Sequence, residues 1–279
     1  MIQTSPSKQP SAFHAWVVLI AASLMFFYTF IQMNMLNPID STLMHVFNVS
    51  ASQLGILSSM YFWGNFLLLF PAGLILDRYS PKWILFVALL VASLSMFTFA
   101  MSTSLMAASI SRLVMGFCGS FGFLGAIRIV SRWFPPKRMA LASGSIVTFA
   151  MLGGVVAQTP IAKMSAAFGW QHALIIFGFL GLALVLLELL FVRDYPASYE
   201  HPAKSSVEHI SSLGFWRSIT MVVGNRYNWF GGLYTTLMNL PIFVLGALCG
   251  YMYLMQTQHL STIEASDVSA ELFFGTLIG

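Results

Sequence analysis

Charge is what this chain has least of. Asp, Glu, Lys and Arg make up 8% of its 279 residues, against roughly 25% in an ordinary soluble protein. That is too little to cover the surface of a water-soluble domain. Cysteine is nearly absent. Cys118 and Cys249 both lie within apolar runs, so no disulfide framework is indicated. The histidines, His14, His45, His172, His201, His209 and His259, are scattered without metal-ligand spacing, and neither a metal nor another cofactor is expected. The formal net charge is +4, but the basic residues sit in short segments between apolar runs. A nucleic-acid partner, which needs a basic patch, is therefore not expected.

What the chain has instead is apolar residues, 58% of the total, an excess that also excludes disorder. About 20 of them cross the roughly 30 Å hydrocarbon core of a bilayer as a helix. Charge-poor runs cover 13–36, 53–76, 83–101, 105–130, 141–162, 172–192 and 227–256, and an eighth begins near Leu272. Backbone polar groups in lipid must satisfy one another, so these runs are expected to be helices. The alternating segments of about ten residues that a barrel needs are absent. The first run is longer than a cleaved leader and is expected to remain as a span. The expectation is an all-α membrane protein with the lipid bilayer as partner. Residues 1–192 form an N-terminal six-helix bundle, 193–226 a cytoplasmic linker and 227–279 the start of a second bundle. Within the linker, 215–226 reads as a helix lying on the membrane.

Lys and Arg placement gives the orientation. With the N-terminus in the cytoplasm, Lys8, Arg78, Lys82, Arg132, Lys137, Arg138, Arg193, Lys204, Arg217 and Arg226 fall inside and Lys163 alone falls outside. The expected location is the bacterial inner membrane. A weak repeat accompanies this layout. Asn48-Val49-Ser50-Ala51 precedes the second span and Asp267-Val268-Ser269-Ala270 the eighth. Ser50 with Gln53 fits a capping box. Repeated halves are a feature of secondary transporters.

Four segments then carry a family likeness. Gly73-Leu74-Ile75-Leu76-Asp77-Arg78-Tyr79-Ser80-Pro81-Lys82-Trp83-Ile84-Leu85 resembles the loop 2–3 signature of the major facilitator superfamily, with Ser80 and Pro81 departing from its Gly and Arg. Arg112 with Gly116 resembles the fourth-span motif. Arg132-Trp133-Phe134-Pro135 with Arg138 and Gly144 is similar to loop 4–5, and Phe168-Gly169-Trp170 to the start of the sixth span. The resemblance implies two six-helix halves around a cavity with alternating access. This chain reaches the eighth of twelve spans. Phe27, Tyr28, Phe30 and Gln32 are similar to facilitators of intracellular bacteria that import amino acids or nucleosides.

Within this frame, Tyr28, Gln32, Arg112, Thr235 and Asn239 are the expected substrate-binding residues. Arg112 offers a bidentate grip on a carboxylate, or it snorkels to the interface. Tyr28 and Gln32 share a helix face and either orient a polar substrate or bond between helices. Thr235 and Asn239 lie one turn apart, near the helix break expected at Pro241. Asn65, Gln158 and Pro160 are weaker candidates. Gly73, Asp77, Arg78 and Lys82 form the conformational latch that the resemblance implies, or serve topology alone. Glu188, the one carboxylate inside a complete span, is expected to pair at the interface with Arg193, and a proton is a candidate coupling ion. The function expected is secondary transport of a small polar metabolite: an amino acid, a nucleoside or an organic anion. The alternatives are a truncated membrane protein acting through assembly with other membrane proteins, or an integral-membrane enzyme.

Overall fold

A computed structural model describes residues 12–196, 220–221, 223–248 and 250–278. The described chain is helical. In order the helices are α1 (Ala12–Asn34), α2 (Asp40–Phe47), α3 (Ala51–Arg78), α4 (Pro81–Ala100), α5 (Leu105–Trp133), α6 (Met139–Phe168) and α7 (Trp170–Phe191). Then follow α8 (Arg226–Pro241), a π-helical stretch (Ile242–Leu248), α9 (Gly250–Thr257) and α10 (Thr262–Ile278). Six helices are long and apolar enough to cross a membrane. A seventh candidate is the bent pair Arg226–Gly246 and Gly250–Thr257, which turns by 48°.

The helix ends follow local chemistry. Ser50 and Gln53 form the expected capping box at the start of α3, each satisfying an amide that the first turn leaves unpaired. α6 and α7 are separated by Gly169 alone, at φ +86°, a conformation that costs glycine little and other residues more. Two expectations are corrected. The first span does not end at Leu36 but runs through a 3-10 turn (Asn37–Ile39) into α2. The eighth helix starts at Thr262, ten residues before Leu272. Its capping box is Ser261 with Glu264, so Ser269 lies inside the helix and is not the counterpart of Ser50.

Six of these helices, α1 and α3–α7, pack as one bundle. α5 is the hub, lying against α3, α4 and α1, while α1 also packs on α6 and α4 on α7. The α3–α5 contact is the closest. A Cβ at Gly64 would collide with the Leu113 carbonyl, and one at Gly116 with the Tyr61 carbonyl. Lipid supplies no hydrophobic drive between helices, so such backbone-to-backbone packing supplies the association. The outward faces carry Phe66, Leu94, Ile110, Leu186 and Leu190, all exposed. α10 lies against α6 with Phe273 fully buried over Gly154. Of the linker, 197–219 falls outside the described residues, as do parts of the expected surface helix.

Candidate functional site

A cavity of about 600 Å³ lies between the six-helix bundle and α8. Apolar side chains from α1, α3, α5 and α6 form most of its wall, including Phe26, Phe30, Met33, Phe123 and Met151. Its polar points are Thr29 on α1, Tyr61 and Asn65 on α3, and Thr235, Thr236 and Asn239 on α8. A mostly apolar pocket with a few placed polar groups is the usual form of a small-molecule site. Asn239 Nδ2 donates to the Thr235 carbonyl at 2.8 Å, which orients the amide across one helical turn. Tyr61 donates to the Thr29 carbonyl at 3.1 Å, tying α3 to α1 at the wall.

Of the expected binding residues, the structure brings Thr235 and Asn239 to this cavity, and it adds the weaker candidate Asn65. Tyr28 and Gln32 face the other way. Tyr28 donates to the Phe177 carbonyl of α7 at 3.1 Å, and Gln32 to the Ala92 carbonyl of α4 at 2.7 Å. Arg112 is 1% exposed, so it does not snorkel. Its guanidinium donates to the carbonyls of Gln32, Met33 and Ser58 and lies 5.0 Å from the Tyr61 ring centroid. It stands one layer behind the cavity wall, closing the C-terminal end of α1, where the last carbonyls have no helical partner. Thr29, Tyr61 and Thr236 were not singled out in the sequence. Hydroxyls of these types are common in spans, and nothing local distinguishes those that face a cavity.

The latch residues gather at the opposite end of α3. Asp77 pairs with Arg128 of α5, and Arg78 is exposed beside it. Asp194, just beyond α7, accepts from the Ser80 hydroxyl and from the Lys82 amide N–H, the latter at 3.0 Å. Arg132 lies 3.6 Å from the same carboxylate. Lys82 Nζ donates to the Leu189 carbonyl at 3.1 Å. Trp133 Nε1 donates to the Arg193 carbonyl at 2.9 Å. The basic turns at 78–82, 132 and 193 are thereby held at one end of the bundle. Gly73 lines a cleft there with Asp77, Arg128 and Arg132. Glu188 corrects another expectation. It is fully buried, neither carboxyl oxygen has a hydrogen-bond partner, and Arg193 is exposed.

The chain belongs to the Major Facilitator Superfamily, whose family profile matches residues 22–279. This is a family of membrane transporters and not of enzymes. The chain is 30% identical to the hexuronate transporter of Bacillus subtilis over 150 residues, which is 53% of this chain and 35% of that protein. It is 24% identical over 194 residues to the probable sulfoacetate transporter SauU of Cupriavidus necator, covering 70% and 45% of the two. It is 29% identical over 215 residues to the nitrate/nitrite transporter NrtP of Nostoc punctiforme, covering 72% and 41%. The chain thus spans less than half the length of these relatives. A crystal structure of a bacterial homologue of the human lysosomal transporter Spinster superposes with a TM-score of 0.75 at 20% identity. That match covers 94% of this chain and 60% of the other.

Proposed function

We propose that this chain supplies the first half, and the opening spans of the second half, of a secondary transporter for a small anion. The cavity between the bundle and α8 carries the reading. It has the size of a small-molecule site and uncharged polar groups on both sides, Asn65 and Thr29 facing Thr235, Thr236 and Asn239. The named relatives favour an anion over an amino acid or a nucleoside, since sulfoacetate, hexuronate and nitrate all carry negative charge. In this reading the Asn65 and Asn239 amides and the Thr236 hydroxyl supply the hydrogen bonds, since the Thr29 and Thr235 hydroxyls donate to the carbonyls of Phe26 and Gly231. Arg112 supplies positive potential from behind the Tyr61 ring, weakly screened in a low-dielectric wall.

Gly73, Asp77, Arg78 and Lys82 act in the same scheme as the latch of the basic end, with Asp194 and Arg128 as their partners in the first half. We place the protein in the bacterial inner membrane with that end in the cytoplasm, as the Lys and Arg excess favours. We propose a proton as coupling ion, with Glu188 and Asp40 as buried acids available to it.

The test is ligand stabilisation of the purified chain in detergent. A ligand present at 100 times its Kd stabilises by about 2.7 kcal/mol. Hexuronate, sulfoacetate or nitrate is expected to raise Tm, and Asn239→Ala is expected to reduce that rise. A rise with amino acids or nucleosides, and none with anions, would overturn the anion reading.

A further inference from the structure

α8 stops at Pro241, and the chain enters the π-helical stretch. Within it, one carbonyl takes two side-chain amides. The Gly246 oxygen accepts Asn37 Nδ2 at 2.6 Å and Gln158 Nε2 at 3.3 Å. The donors come from separate elements, the turn after α1 and the outer part of α6. Both are buried, at 4% and 0% exposure. Gly246 is itself buried, and a Cβ there would run into Phe273 and Leu272 of α10. Beside it, Thr159 of α6 donates to Asp267 of α10 at 2.6 Å.

These bonds join the first six-helix bundle to the segment after the linker, and they lie at the end away from Arg78, Lys82 and Arg132. Nearer the basic end, α8 loses this attachment. Among its described residues, α8 has none that is buried. α8 is therefore clasped to the bundle at one end and separated from it by the cavity along the rest, while α10 stays packed on α6 as far as Thr276 against Met151.

We propose that Asn37, Gln158 and the Gly246 carbonyl are a gate clasp, which holds this end of the cavity shut and releases when it opens. A π turn that runs into a bend leaves carbonyls outside the regular helical ladder. Gly246 presents such a carbonyl without a side chain in the way. Because both amides converge on one atom, a small displacement of the π turn breaks both bonds together. The clasp rests on the transporter reading. Its test uses no substrate, so either idea can fail without the other.

Ser266 of α10, fully buried next to Asp267, is the reporter. The chain carrying Cys249→Ser and Ser266→Cys is placed in nanodiscs and treated with a water-soluble maleimide. Native Cys118, 6% exposed inside the bundle, is the internal measure of folding. With the clasp intact, the Ser266→Cys position reacts slowly. Adding Asn37→Ala and Gln158→Ala removes two hydrogen bonds and should speed its labelling about tenfold, while Cys118 stays protected. Unchanged labelling at position 266 would overturn the clasp. So would equal acceleration at Cys118, because the two amides would then be holding the bundle together and not a gate.

Discussion

Arg112 and Glu188 are two ionisable groups buried in the same apolar bundle, with opposite consequences. Arg112 satisfies the Gln32 and Met33 carbonyls at the C-terminal end of α1, which that helix cannot satisfy itself. Arg112→Ala strands them, at about 1–3 kcal/mol for each buried unsatisfied group, and should lower Tm sharply. Arg112→Lys should not rescue it, since an ammonium lacks the planar fork that reaches several carbonyls at once. Glu188 has no such partner. Burying an unbonded polar group costs about 1–3 kcal/mol in proteins, so Glu188→Leu should raise Tm. Thermal unfolding of both variants in one detergent checks the pair. The sequence marked both residues, because charge within a span is conspicuous by itself. It did not show their roles, which depend on which backbone ends lie opposite.

At the scale of elements, α4 shows how a departure from a family pattern acquires a use. Ser80 and Pro81 stand where the family signature has Gly and Arg. Pro81 opens α4, where its missing N–H costs nothing. Ser80 does not cap the helix with its own side chain but bonds Asp194. That carboxylate then caps α4 by accepting the Lys82 amide. A negative group at a helix N-terminus also meets the favourable end of its dipole. Asp194→Ala should cost about 1 kcal/mol and speed amide hydrogen exchange at Lys82 and its neighbours, leaving the far end of α4 protected. Most span ends were legible to within a few residues because helix ends sit where apolar runs meet Ser, Pro and Gly, but the first span runs on past 36 to Phe47 and the fifth past 162 to Phe168. The eighth helix was misplaced because its first turns carry Glu264 and Asp267, and hydropathy alone reads charge as loop.

For the whole molecule, the arrangement of charge makes a direct prediction. Ser80 and Lys137 lie at the basic end, and Lys163 near the other end of α6. Cysteines introduced singly by Ser80→Cys and Lys137→Cys should label from one face of sealed vesicles. One introduced by Lys163→Cys should label from the opposite face. Labelling of all three from one face would break the threading. Sequence alone determined that this chain lives in lipid, how many times its first part crosses and in what order, and the family it belongs to. Those properties sum over local stretches, as transfer free energies and loop charges do. Tertiary structure decided which polar side chains see the cavity: Asn65, Thr235 and Asn239 rather than Tyr28, Gln32 and Arg112. A helix apolar on nearly every side carries no periodic mark of its inward face. Only the packing of the other helices determines whether a polar side chain finds a neighbour's carbonyl or open space.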